Sequence, residues 1–166
     1  MIKLKFTSVM ISLFVFQPAI AEESFSVGAG LGAMYSGLGI NLSLKSETQM
    51  KYVSVGAVAC YQNNNGPTKC TVGIGVGLLR TDMFSSANNN HGVGLYIGAV
   101  GAEQRGSPFN GGAVNDFKAI YGAGISYIYF WEGINVSGLN VGFTPAIGFR
   151  GGRSMPGLLV QFGYQF

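Results

Sequence analysis

The chain has 166 residues, of which only 10% are charged against 48% hydrophobic, and 27 are glycine. Soluble domains carry roughly a quarter charged residues, so an ordinary water-soluble globule fits this composition poorly. The formal net charge is +3, which is too small, and too scattered along the chain, for a nucleic-acid surface.

The chain opens with a positive segment (Lys3, Lys5), a short apolar run from Val9 to Phe16, and the small-x-small pattern Ala19-Ile20-Ala21. That sequence of features predicts a secretory signal peptide over residues 1–21, with a mature domain over 22–166. The mature part is the length of a single domain. Removal of the two signal lysines leaves 8 basic and 7 acidic residues, so most of the basicity lies in the signal.

From there the chain breaks into eight stretches in which apolar residues alternate with small or polar ones, the period of a strand with two different faces. The first is expected over Ser24–Met34, with Phe25, Val27, Ala29 and Leu31 on one parity and Gly28, Gly30 and Gly32 on the other. After Ser36-Gly37 the second carries Leu38, Ile40, Leu42 and Leu44, and the polar run Lys45–Met50 ends it. The third (Val53 to Tyr61) stops at QNNNGPTK, a strong turn signal. The fourth sets Val72, Ile74, Val76 and Leu78 against Gly73, Gly75 and Gly77, and the break Asp82–Asn90 follows. The fifth alternates Val93, Leu95 and Ile97 with Gly92, Gly94, Tyr96 and Gly98, and leads into the polar loop Gln104–Asn115. The sixth, Phe117 to Tyr129, ends at the break Trp131–Asn135. The seventh runs from Gly138 to Phe149, then a loop over Arg150–Gly157 precedes the closing segment GLLVQFGYQF.

No stretch of the mature chain reaches the ~20 continuous apolar residues of a membrane helix. Helical periodicity is missing too, and glycine costs ~1 kcal/mol per site inside a helix. Eight alternating segments of roughly 9–15 residues instead match tilted strands of a closed transmembrane barrel. The expected fold is all-β, an eight-stranded antiparallel up-and-down transmembrane β-barrel. A soluble barrel with its apolar faces turned inward would show water a surface of Gly, Ala, Ser and Asn with few charges, which is poorly soluble.

The closing strand, with Phe162, Tyr164 and Phe166 on one parity, resembles the C-terminal assembly signal of Gram-negative outer-membrane β-barrels. With the signal peptide and the eight segments, the whole mature chain resembles the small eight-stranded, porin-like members of that group. The resemblance implies recognition by the outer-membrane insertion machinery, location in the outer membrane, and both termini on the periplasmic side. On that topology Tyr35, Tyr61 and Phe149 are expected near an outer aromatic girdle, and Phe130, Trp131 and Phe166 near an inner one, with the inward parity of Phe130 also fitting an ordinary interior aromatic.

Candidate sites are few. Cys60 and Cys70 flank an outer loop of an exported chain, which suggests a disulfide. By strict alternation the two point to opposite faces, so the loop base must twist or bulge. No catalytic constellation stands out. The single histidine, His91, is followed by Gly92 and Val93, so the His-x-Ser pattern of lipid A deacylases is not met. Adjacent Asp-Ser and paired aspartates, which would resemble palmitoyltransferase and protease barrels, are missing from the sequence. The alternating glycines match neither of the glycine-rich nucleotide-binding motifs, and one histidine is too thin for a metal centre. No cofactor, metal or nucleic-acid partner is expected.

Two features carry what functional signal there is. The inward parity is rich in glycine, with Met34, Tyr52, Tyr96 and Ile120 as larger lumen-lining groups beside Val58, Leu79, Val100, Ile128 and Leu159. That face is either packed shut or a partly apolar cavity for a lipophile; an eight-stranded barrel is too narrow for a water-filled pore. At the outer rim Lys69, Arg105, Lys118, Arg150 and Arg153 outnumber Glu103 and Asp116. Lys69, Arg105, Arg150 and Arg153 are the candidate contacts to lipopolysaccharide phosphates. The reading that follows is a non-enzymatic outer-membrane barrel with a structural or surface-interaction role (adhesion, envelope integrity, contact with lipopolysaccharide or an extracellular partner). Alternatives are a lipophile-binding or transporting barrel and a lipid A-modifying enzyme.

Overall fold

The computed structural model of the chain describes residues 23–61, 68–83, 89–105 and 116–166. The expected signal peptide, most of the loops after Tyr61 and Arg105, and the middle of the Asp82–Asn90 break lie outside those residues, as does the side chain of Arg105.

Eight strands follow in chain order: β1 Ser24–Gly32, β2 Gly37–Lys45, β3 Gln49–Tyr61, β4 Lys69–Arg80, β5 His91–Arg105, β6 Asp116–Phe130, β7 Gly138–Arg150 and β8 Arg153–Gln165. Each pairs antiparallel with its sequence neighbours and β8 returns to β1, which closes the sheet into an up-and-down barrel. Below, the end that carries the start of β1 and the end of β8 is called the lower end.

The alternation in the sequence becomes two faces. Phe25, Leu38, Ile97, Phe149, Leu158 and Phe166 are each more than 60% exposed on the outer wall. The inward parity is buried and largely small or polar, as with Asn41, Ser54, Ser126, Asn140 and Thr144. Every strand exposes at least one large apolar side chain on this wall, whereas a soluble monomer rarely shows contiguous apolar surface beyond a few hundred Å².

Several local expectations change. The first strand stops at Gly32, not Met34, and Ala33–Tyr35 form a short 3-10 turn whose residues are fully buried. Ser36-Gly37 is therefore no surface hairpin, since Ser36 is buried as well. Tyr35, expected near the outer girdle, lies inside the barrel with no exposed surface. Phe130 is likewise an interior residue at 2% exposure, while Trp131 and Phe166 are exposed. Arg150–Gly157 is not a loop. Gly151 and Gly152, both with positive φ, make a two-residue turn between Arg150 and Arg153, the geometry whose twist matches paired strands. Lys45, Gln49 and Met50 belong to strands, so the turn between β2 and β3 is shorter than expected.

Two irregularities re-aim side chains. A register shift between Ala57 and Ala59 places Cys60 directly opposite Cys70, and the two sulfurs are bonded. The same shift turns Tyr61 off its expected outward parity; it is half-buried and its ring lies 5.8 Å from that of Phe117. A second shift, between Ala99 and Gly101 on β5, sets Glu103 opposite Lys118, whose parity is that of the buried Ile128 and Ser126. A bulge inserts one residue and so swaps the faces of everything beyond it.

The disulfide closes the β3–β4 hairpin over a sequence separation of 10. Reducing it, or replacing both cysteines by serine, is expected to lower stability by about 2.5–3 kcal/mol through loop-closure entropy. Guanidinium titration with and without reductant measures this; an unchanged midpoint would mean the hairpin is held by its strands alone.

Candidate functional site

The barrel interior divides into a filled lower part and an open upper part. The lower part is filled by the chain itself. Gly32 (φ 106°) and Gly37 (φ 100°) let the β1–β2 connection turn into the lumen, backbone conformations that side-chain-bearing residues rarely adopt. Between them Ala33, Met34, Tyr35 and Ser36 form a plug with no exposed surface.

Tyr35 reaches across the lumen to β7. Its hydroxyl donates to Asn140 Oδ1 at 3.1 Å, and Asn140 Nδ2 donates back to Tyr35 Oη at 2.8 Å. The ring lies against Gly30 and Gly163, where an added Cβ would come within 2.6 and 2.3 Å of tyrosine atoms. Two further tyrosines rest on glycines in the same way. Tyr52 lies over Gly77, and Tyr96 lies over Gly75 and Gly98, with comparable Cβ distances. Ser36 Oγ is 2.8 Å from Ser54 Oγ and 3.4 Å from Tyr96 Oη, and the Tyr96 hydroxyl donates to the Ala99 carbonyl at 3.0 Å. Gly30, Gly75, Gly77, Gly98 and Gly163 on the glycine-rich face are thus hollows that three buried tyrosines occupy.

Below the plug, Gln165 joins the last strand to the first two. Its Nε2 lies 2.9 Å from Ser26 Oγ, 3.1 Å from Asn41 Oδ1 and 3.0 Å from Ser43 Oγ, while Asn41 Nδ2 donates to its Oε1 at 3.3 Å. These buried polar groups satisfy one another, which removes the cost of burying them alone. Ile134, fully buried, packs into the core at the same end.

Above the plug the lining changes. Val100 and Leu159 pack on the core cluster. Next to them is a cavity of about 190 Å³, lined more by apolar than by polar surface, between Val100, Ile120, Ala146, Met155 and Gly157. Ile120 also borders a more polar space of about 370 Å³ with Glu103, Lys118 and Arg150, where Arg150 Nε pairs with Glu103. Arg153 lies opposite Arg150 across the two-glycine turn.

No known protein family, curated protein or solved structure matches the chain.

Of the residues singled out in the sequence, Met34, Tyr52 and Tyr96 lie buried in the lumen, Met34 on the plug rather than on a strand. Ile120 is half-buried and borders both upper cavities. Phe162, Tyr164 and Phe166 are exposed along one face of the last strand and its end. Among the rim cations the structure brings Arg150 and Arg153 together, whereas Lys69 stands at the β3–β4 end opposite Tyr61. His91 faces outward at the lower end, its Nδ1 2.7 Å from Tyr127 Oη and its ring 5.2 Å from that of Tyr129. Among the described residues there is no cluster of three potential metal ligands. Just below β4, the Arg80 guanidinium bonded to Asp82 holds that carboxyl below the usual carboxylate range.

Tyr35 and Glu103 were not legible as interior residues. The signal for the first is the pair of glycines, Gly32 and Gly37, that brackets Ala-Met-Tyr-Ser. For the second the sequence holds no visible signal, because its inward aim depends on the bulge at Ala99–Gly101.

Proposed function

We propose that this chain is a non-enzymatic integral outer-membrane protein of a Gram-negative envelope, with a structural and surface-contact role. The supporting observation is the sharp division of the closed wall, apolar and exposed on every outward row, packed or polar within. Lipid is the solvent that such an outer wall matches, and a closed sheet leaves no long row of unpaired backbone groups in it. On this reading Phe162, Tyr164 and Phe166 are what the insertion machinery reads. The lower end, filled by the plug and by Gln165, faces the periplasm, and the upper end faces out.

At the upper end Arg150 and Arg153, with Lys69 across the mouth, offer guanidinium and ammonium groups to lipopolysaccharide phosphates. Any extracellular partner would meet the same end, through the loops that follow Tyr61 and Arg105.

Fractionation of expressing cells tests the reading. The expected result is a processed chain in the outer-membrane fraction whose gel mobility shifts on boiling, as a folded barrel gives way to an open chain. Recovery of the processed chain in soluble periplasmic extract would overturn it.

A further inference from the structure

The barrel wall is incomplete above the plug. The β1–β2 hairpin is short: its turn glycines Gly32 and Gly37 sit beside Gln161 and Ala57. On one side β8 continues past that level to Arg153, and on the other β3 continues to Tyr61. β8 pairs with β1 only from Gly28 to Leu31, and β2 pairs with β3 no higher than Leu38 opposite Ala57. Among the described residues, then, β8 from Arg153 to Leu159 has no strand along the edge turned away from β7. Neighbouring strands stand ~4.8 Å apart, so two missing strands leave a notch on the order of 10 Å or more.

Two independent features agree with an open edge. Arg153–Leu158 are exposed on both faces of the strand, inward-parity Met155 and Gly157 included. Pro156 also fits. Opposed pairs alternate between bonded and non-bonded positions. Counted from the Arg150–Arg153 pair at the turn, Pro156 opposite Ile147 falls on a non-bonded one. Its nitrogen is turned toward the free edge, where a strand proline costs no ladder bond.

Behind the notch lies the mainly apolar cavity bordered by Met155, Gly157, Val100 and Ala146, and beyond Ile120 the space that holds Lys118, Glu103 and Arg150. Arg150 and Arg153 face each other directly, an arrangement that is unfavourable for like charges. Glu103 pairs with Arg150, and with Lys118 and Arg153 counted the described groups there remain net positive. A slot with an apolar end and a cationic mouth is complementary to a single chain with one anionic head. The mainly apolar cavity, at about 190 Å³, suits one alkyl chain better than two.

We propose that the notch between β8 and β3 admits the acyl chain of a long-chain carboxylate from the surrounding lipid. The tail lies behind Met155 and Gly157, and the carboxylate is held at Arg150 and Arg153. This rests on the outer-membrane reading above.

The test is photolabelling of the full chain in phosphatidylcholine nanodiscs with palmitate bearing a mid-chain diazirine, followed by peptide mapping. Adducts are expected on Val100, Met155 and Leu159. A Cβ at Gly157 or at Gly101 meets no atom within 4 Å, so phenylalanine at either position projects into the cavity without displacing the wall. G157F and G101F, each checked for boiling-dependent gel mobility, are expected to cut the yield at least tenfold. R153E is expected to cut it about fivefold for palmitate and to leave the corresponding diazirine-bearing alcohol unaffected.

Adducts confined to outward residues such as Ile74, Ile97 and Phe149, or a yield indifferent to both phenylalanine variants, would overturn the proposal. So would stronger labelling of the same residues by diazirine-bearing phosphatidylglycerol than by palmitate. A chain found in the outer membrane but not labelled in the notch would sink only this inference, whereas a soluble periplasmic chain would sink the membrane reading.

Discussion

Replacing Tyr35 by alanine is expected to cost about 4–8 kcal/mol of barrel stability, read as a lowered guanidinium midpoint in detergent micelles. The side chain is fully buried, and removing a buried aromatic ring typically costs about 3–5 kcal/mol. The substitution also strips Asn140 of the hydroxyl that both accepts from and donates to its amide. An orphaned buried amide adds about 1–3 kcal/mol. The glycine hollows at Gly30 and Gly163 cannot close to compensate, because they are strand backbone. Tyr35→Phe separates the two contributions: it keeps the ring in its hollow and should show only the hydrogen-bond loss. A cost below about 1 kcal/mol for Tyr35→Ala would mean that the plug does not pack as described.

Gly37→Val is expected to cost about 2–6 kcal/mol by a different route. Gly37 has φ 100°, and a Cβ there would stand 2.2 Å from the Ala57 carbonyl oxygen, a backbone atom of the neighbouring strand. A side chain in the positive-φ region costs about 1–3 kcal/mol, and overpacking a further 1–3. Gly151→Val is the matched control, since Gly151 also has positive φ but nothing within 4 Å of its Cβ. Only the backbone contribution should appear there. Equal losses at the two positions would show that the crowding at Ala57 relaxes away.

The closed barrel was legible because the side-chain period of a strand is two, and Val53, Val55, Val72, Ile74, Val76 and their kin hold that period without interruption. The bulge beside Cys60 was legible from the conflict between a disulfide and strict alternation. What stayed hidden shares one cause: alternation is a local rule, and turns and bulges reset it. Met34 and Tyr35 continue the alternation of the first strand on paper, so nothing in the pattern says that the chain leaves the wall at Gly32. Arg150–Gly157 is rich in glycine, proline and charge, the usual marks of a loop. Its strand character comes from pairing with β7 over the full length of β8, a non-local fact. Of the upper chamber, the sequence showed the cations and Ile120. It did not show that Glu103 joins them inside, because a single inserted residue on β5 decides that.

The short β1–β2 hairpin also has a mechanical consequence. The ring is joined at its seam from Gly28 to Leu31 only, whereas β7 and β8 are zipped from Gly138 to Arg150. A tension on the first strand is therefore borne by the briefest ladder in the molecule. The hairpin that peels away there carries Ala33–Tyr35 with it, so the weak link of the hoop and the stopper of the tube are one piece, and pulling the first uncorks the second.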